Sequence, residues 1–508
     1  MVKFRFYFLM RAFFSFLFVV VLLVFQSCQS PKEKNSITVS LIHINDVYEI
    51  AAVNKGQEGG FARLAYLVDS LKKQNPNTLV VHAGDFLSPS LIGNLRDDEG
   101  QKIKGKQMIE VMNASQIDVV TFGNHEFDIK ESELLKRINE SKFEWISSNV
   151  FHQIDSSRTE PFSQNGKDIQ KSFQKVFVQN GDSFKLGLVG VTLPFNKKKH
   201  VSYTDLLETL EAVLDTISTD QNILLTHLER EQDQEVARRF PNVQLIMGGH
   251  DHYHFMDTIG KVYVAKADAN LRTVWKHDLT YDFDFKTMTV SSELIKLNNS
   301  IGEKESVLTL VNEWNDFAKK KSFEMGFELD RVIWEGDSIW ECRETIVRAN
   351  QTNFGNMVAS SMTALSKADI TLLNSGSLRY DDQLHDVITS GDILKALPFG
   401  GQISVASIPG KELAEIIKIG FETNKGMGGY LQIPNVEIIE NVVWFKGEKL
   451  DLNNEYKVCT STFMAQGKET NLSALGKYKW QKVISKTPVA DDIRSIVIWY
   501  LDNYESEI

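Results

Sequence analysis

Carboxylate, amide and imidazole side chains gather at five places in the first half of this chain: Asn45-Asp46, Gly84-Asp85, Gly123-Asn124-His125-Glu126-Phe127-Asp128, Thr226-His227 and Gly248-Gly249-His250-Asp251-His252. Oxygen and imidazole nitrogen are what divalent metals take as ligands in hydrolases. Two such ions a few Å apart can clamp the attacking and leaving oxygens of a phosphoryl transfer. Taken singly, each residue has an ordinary explanation: His227 or His250 as a structural histidine, Asp46 or Asp85 as a turn or helix-cap residue. Five clusters in one stretch, each just past an apolar run, point instead to a dinuclear metal centre.

The runs that must position them are Val39 to Ile44, Thr78 to Val81, Ile117 to Thr121, Ile223 to Leu225 and Val243 to Met247, all reading as buried strands. If they share one sheet, their polar ends gather at one edge, where ligand sites form in open α/β sheets. Between them lie amphipathic segments such as Phe61 to Lys73, with Leu64, Leu67, Val68 and Leu71 at helical spacing. Strand-like and helical runs alternate from Ile37 to about Leu297, the mark of a layered α/β domain. A longer helix is predicted over 303–322, with Val307, Leu310, Val311, Trp314 and Phe317 on one face. A second, smaller α/β region follows. Its predicted strands are Ile370 to Leu373, Ile403 to Ile408 and Tyr456 to Thr460, and its predicted helices are Asp392 to Leu397 and Lys411 to Phe421.

A chain of 508 residues is too long for one ordinary core, and 42% hydrophobic content without low-complexity tracts describes a globular protein. The net charge of -11 argues against a nucleic-acid polymer as partner, yet leaves room for small phosphate esters, because bound metals bring their own positive charge. Lys3, Arg5 and Arg11, the apolar run Ala12 to Phe25 and then Gln26-Ser27-Cys28 have the layout of a secretory signal. The run is shorter than a spanning helix needs. A Cys directly after it resembles the lipobox of bacterial lipoproteins, which implies lipidation at Cys28 and an exported protein anchored at the periplasmic or outer face of a membrane. The expected division is a signal peptide at 1–27, a tether at 28–36, a metallophosphatase domain at 37–302, a linker helix at 303–329 and a recognition domain at 330–508. Cys342 and Cys459 sit in segments that read as buried, so free packed thiols are expected.

The ordered set of clusters resembles the calcineurin-like metallophosphoesterases, and the wider chain resembles their 5'-nucleotidase family. Gly59-Gly60-Phe61-Ala62-Arg63 and Asn124-His125-Glu126-Phe127-Asp128 match that family closely. Asn374-Ser375-Gly376-Ser377-Leu378-Arg379 resembles its Asn-Gly-Gly-Gly-Ile-Arg segment, and Leu397-Pro398-Phe399-Gly400-Gly401 and Gly429-Tyr430-Leu431-Gln432 also fit. The resemblance implies two divalent ions (Zn, Mn or Fe). Asp46, Asp85 and His252 would hold one, and Asp85, Asn124, His227 and His250 the other, with Asp85 bridging and a metal-bound hydroxide attacking phosphorus. It further implies that His125, oriented by Asp128, stabilises charge on the phosphoryl group or leaving oxygen. Asn374 and Arg379 would contact phosphate, and Phe399 and Phe463 would sandwich a nucleobase. Without the resemblance, both phenylalanines read as core.

Three departures bear on these implications. The family's Asp-x-His pair at the first strand is Asp46-Val47-Tyr48 here, so Tyr48 is either a phenolate ligand or a neutral neighbour of the first metal. Gly467-Lys468-Glu469-Thr470-Asn471 stands where the family has Gly-Gly-Asp-Gly-Tyr, and Ser375 and Ser377 replace glycines. The expected activity is 5'-nucleotidase hydrolysis. The alternatives are UDP-sugar or cyclic-nucleotide hydrolysis on the same fold, or a binding lipoprotein without turnover.

Overall fold

A computed structural model describes residues 35–195, 198–484, 489 and 492–503. The expected signal peptide, most of the expected tether and Cys28 lie outside the described residues.

The first domain opens with β1 (Ser36–Ile44), α1 (Phe61–Gln74), β2 (Thr78–His82), α2 (Lys106–Ala114), β3 (Val119–Thr121) and β4 (Glu144–Ile146). It continues through β5 (Ser172–Gln179), β6 (Asp182–Thr192), α3 (Leu206–Thr216), β7 (Gln221–His227), α4 (Arg230–Arg239) and β8 (Leu245–Gly248). It closes with β9 (Phe255–Ile259), β10 (Val262–Lys266), β11 (Thr273–Asp282) and β12 (Thr287–Lys296). Among the described residues these strands form two six-stranded sheets, ordered β12-β11-β1-β2-β3-β4 and β9-β10-β8-β7-β6-β5. The five runs that sequence could have placed in one sheet are therefore divided three and two.

The reason is visible in which neighbours each strand face meets. Val39 and Leu41 of β1, Leu79 and Val81 of β2, Ile223 and Leu225 of β7 and Leu245 and Met247 of β8 pack together between the two sheets. The alternate residues Ile42, Ile44 and Val80 meet α1, α2 and a long helix, α5 (Glu305–Glu324), while Leu224 and Ile246 meet α3 and α4. A strand covered on both faces is apolar throughout, so the runs look alike whichever sheet they join. The result is a sandwich of two sheets between two helix layers, as a layered α/β domain requires. Parallel pairing aligns the strand ends: Ile44 lies opposite His82, His82 opposite Val120, Thr192 opposite His227 and Thr226 opposite Gly248.

The helix predicted over 303–322 is observed as α5 over Glu305–Glu324, and it packs Val307, Val311 and Ala318 into the first domain's helix layer. Beyond it, β13 (Ile370–Asn374), β14 (Ile403–Pro409), β15 (Leu431–Gln432), β16 (Glu455–Ser461) and β17 (Gln481–Lys482) form a sheet of order β15-β13-β16-β14-β17. The predicted helix 411–421 is observed as α-helix over Gly410–Lys418 and as a π turn over Ile419–Thr423. Cys342 and Cys459 are buried and unpaired.

Candidate metal centre

Three of the five strand ends, those of β1, β2 and β8, turn sharply to present their polar side chains. Asp46 (φ 52°), Asp85 (φ 62°), His250 (φ 86°) and His252 (φ 61°) all adopt left-handed backbone conformations, uncommon for residues with a Cβ and frequent at functional sites. Glu126 holds the turns in place. Its carboxylate accepts from the backbone N–H groups of Asp85 (2.9 Å), Phe86 (2.7 Å), Leu87 (3.1 Å) and Gly123 (2.6 Å), tying the end of β2 to that of β3. Gly249 allows the His250 loop to close on this region, since a Cβ there would lie 2.6 Å from the Ala83 carbonyl and 2.8 Å from His227 Nδ1.

The residues so placed converge. Asp85, His227 and His250 bring ligand atoms within 4.8 Å of one another, and Asn124 Oδ1 lies 3.2 Å from His227 Nε2 and 3.0 Å from His250 Nδ1. Beside them, His252 Nε2 lies 3.4 Å from Asp46 Oδ1, and the Tyr48 hydroxyl donates to Asp85 Oδ2 at 3.2 Å while lying 3.1 Å from His252 Nε2. Asp46, Asp85, Asn124 and His227 are all essentially inaccessible to solvent.

The donor set fits cations. Buried Asp46 Oδ1 makes no hydrogen bond. His227 gives its Nδ1 to the Ala83 carbonyl (2.7 Å), so its Nε2 faces Asp85 Oδ2 and Asn124 Oδ1 as a proton carrier or a cation ligand. Burial alone would lower His227, but the Asp85 and Asp46 carboxylates outweigh it and raise it to about 9. A pocket that draws in a proton so strongly draws in a metal ion by the same field. His250, by burial and the neighbouring His227, is lowered to about 3 and stays neutral, the form that ligates. Burial and the charges of Asp85 and Asp46 push Tyr48 well above the ordinary phenol value, so it is present as a neutral hydroxyl.

His125 lies at the rim, with Nδ1 2.6 Å from Asp128 Oδ2 and its backbone N–H on Asp85 Oδ1 (2.7 Å). From the second domain, Arg379 donates Nη2 to His125 Nε2 at 3.0 Å and Nη1 to Glu344 Oε1 at 3.0 Å. Glu344 also pairs with Arg348. Burial works to raise Glu344, but Arg348 and Arg379 outweigh it and hold its carboxyl well below the usual range. A cleft lined by Asp85, Asn124, His125, His250, His252, Glu344 and Arg348 opens onto the cluster.

Not every candidate joins it. Asn374 is held instead by Glu469 (2.6 Å) and by Ser377 (2.6 Å). Phe399 (53% exposed) and Phe463 (48% exposed) do not line this cleft, and their exposure removes the core reading of both. They flank one seam of the second domain, where Ile403 pairs with Ser461 and Thr462 donates to Gln402. Glu344, Arg348 and Asp381 carry no motif at the level of sequence, whereas Glu126 lay inside the Asn-His-Glu run.

Residues 39–254 match the calcineurin-like phosphoesterase family, and residues 337–476 match the 5'-nucleotidase C-terminal domain. The chain belongs to the 5'-nucleotidase family of calcineurin-like metallophosphoesterases. By class it is a metal-dependent phosphoric ester hydrolase. Human 5'-nucleotidase is 23% identical over 500 residues, spanning 84% of this chain and 83% of that protein. The trifunctional nucleotide phosphoesterase YfkN of Bacillus subtilis is 24% identical over 467 residues, 80% of this chain but only 31% of that longer protein. Among solved structures, the 5'-nucleotidase precursor of Thermus thermophilus superposes with a TM-score of 0.70 at 22% identity, covering 92% of this chain and 96% of that one, a likeness of fold.

Proposed function

We propose that this metallophosphoesterase is a 5'-nucleotidase that releases inorganic phosphate from nucleotides at a dinuclear metal centre. The observation that carries the reading is the convergence of Asp85, Asn124, His227 and His250 beside Asp46 and His252, on a cleft that also holds His125 and Arg379. Asp46, Asp85 and His252 would hold one divalent ion, and Asp85, Asn124, His227 and His250 the other. When bound, the two ions supply an activated water and neutralise charge on the phosphoryl group.

The chain's own groups do the rest. Asp128 fixes His125 with Nδ1–H directed at its carboxylate, which turns Nε2 toward the cleft. There Nε2 accepts from Arg379 and, once protonated, donates to a phosphoryl or leaving oxygen. Arg379 offers the planar fork suited to phosphate oxygens, and Glu344 aims it. Phe399 and Phe463, exposed on one seam of the second domain, would stack the base. The apolar run Ala12 to Phe25, preceded by basic residues and followed closely by Cys28, supports export and lipid anchoring.

A panel of nucleoside monophosphates, UDP-sugars and cyclic nucleotides, run with protein reconstituted with Zn, Mn and Fe in turn, tests the activity by chromatographic identification of products, with inorganic phosphate as the product expected from monophosphates. Monophosphates are expected to turn over fastest, and turnover of UDP-sugars or cyclic nucleotides alone would overturn the assignment. Acyl labelling of wild type that is lost in Cys28→Ala is the expected result for the anchor; label retained by the variant would refute it.

A further inference from the structure

The short segment Arg379 to Asp382 of the second domain makes three contacts with the first domain in four residues. Arg379 meets His125, Asp381 meets His252, and Asp382 meets Arg272 at 2.6 Å. The middle contact is the informative one. Asp381 Oδ2 lies 2.5 Å from His252 Nδ1, while the far nitrogen of the same ring, Nε2, faces Asp46 and Tyr48. Asp381 Oδ1 is in turn held by the Glu344 backbone N–H at 2.9 Å.

His252, Glu344 and Asp381 bring potential ligand atoms close together, and a separate cation site is the first alternative. The geometry favours a hydrogen bond instead: both guanidinium groups engage Glu344 Oε1, Oε2 comes only within 3.9 Å of His252 Nδ1, and that nitrogen is already 2.5 Å from Asp381. What remains is a single short hydrogen bond between a carboxylate and an imidazole that points its other nitrogen at the metal cluster.

We propose that Asp381 is the positioning residue of His252, supplied across the domain boundary, and that retention of the first metal depends on it. The proposal rests on the reading of His252 as a ligand of that metal. Accepting the Nδ1 proton commits the ring to the tautomer with a lone pair on Nε2, fixes the ring's rotation and raises its basicity as a ligand. The second domain then does more than offer a substrate surface, because it completes the outer shell of a metal held by the first.

The test measures metal per chain and the rate of release to a chelator in full-length protein loaded with manganese. It compares wild type with His252→Ala, Asp381→Ala, Asp381→Asn and Asp382→Ala, each checked for folding by circular dichroism. His252→Ala should lose one of two ions. Asp381→Ala should bind that ion about 10- to 100-fold more weakly. Asp381→Asn, whose amide oxygen still accepts from Nδ1, should fall between Asp381→Ala and wild type. Asp382→Ala, which removes a domain contact without touching His252, should match wild type. If His252→Ala loses an ion while Asp381→Ala holds both like wild type, the proposal is overturned and the ligand reading stands. Equal weakening in Asp381→Ala and Asp382→Ala would overturn it too, since the cause would be a loosened interface. If His252→Ala kept both ions, the ligand reading would fall and the proposal with it.

Discussion

His250 and Asn124 share one hydrogen-bonded contact at 3.0 Å beside Asp85, whereas His254, four residues beyond His250, is half-exposed and bonded to Asp268 (2.7 Å). His250→Ala and Asn124→Ala are therefore expected to lower kcat by about 100-fold or more, while His254→Ala stays near wild type. Phosphate release from a nucleoside monophosphate reads all three, and equal activities would refute the ligand assignment. At Tyr48 the protonated phenol donates to Asp85 where the family carries an imidazole. A neutral phenol is a poor ligand, so Tyr48→His should slow loss of the first metal on dialysis by about tenfold with activity retained. A visible phenolate-to-iron band in active protein, absent from Tyr48→Phe, would show direct ligation instead.

The strands carry a second group of histidines behind the candidate ligands, and these set a pH dependence. His43 on β1 and His277 on β11 are buried with their rings stacked 5.8 Å apart. His43 Nε2 reaches the Gly248 carbonyl (3.0 Å), and His277 Nδ1 reaches Ser292 Oγ (2.7 Å). Burial lowers His43 to about 4 and His277 well below its ordinary value of 6.5. A base depressed in the folded state leaves the unfolded chain binding more protons. The stability it contributes is thus whole above about pH 6.5 and is lost as pH falls through 6.5 toward 4, about 3 kcal/mol for His43 alone. Urea midpoints should fall across that window in wild type and fall less in His277→Gln; identical falls would assign the effect to other groups. The loop after β8 is sensitive in another way. A Cβ at Gly249 meets the Ala83 carbonyl and His227, so Gly249→Ala should cost about 1–3 kcal/mol and weaken metal retention, checked by unfolding and metal analysis. Normal values for both would show that the loop has slack.

Across the whole molecule, the second domain reaches the candidate metal centre through Arg379 and Asp381 and leaves Phe399 and Phe463 exposed on one of its own seams. If that seam binds the base, Phe399→Ala or Phe463→Ala should raise KM for nucleotides by about tenfold or more and leave KM for a small aryl phosphate nearly unchanged. Parallel losses on both substrates would point to a structural role. The candidate ligand clusters and the strands that carry them were legible in the sequence, because an apolar run followed at once by Asp, Asn or His is a local pattern. Burial and hydrogen bonding act on it within a few residues. The same held for His125 with Asp128, three residues apart. The division of the five strands between two sheets was not legible, since a strand buried on both faces reads the same in either. Nor were Glu344, Arg348 and Asp381, which no motif marks, or the capture of Asn374 by Glu469, 95 residues away. Such pairings join residues far apart in sequence, within the second domain for Asn374 with Glu469 and across the domain boundary for Asp381 with His252. Local hydropathy and spacing carry no record of that, so only the tertiary structure decides it.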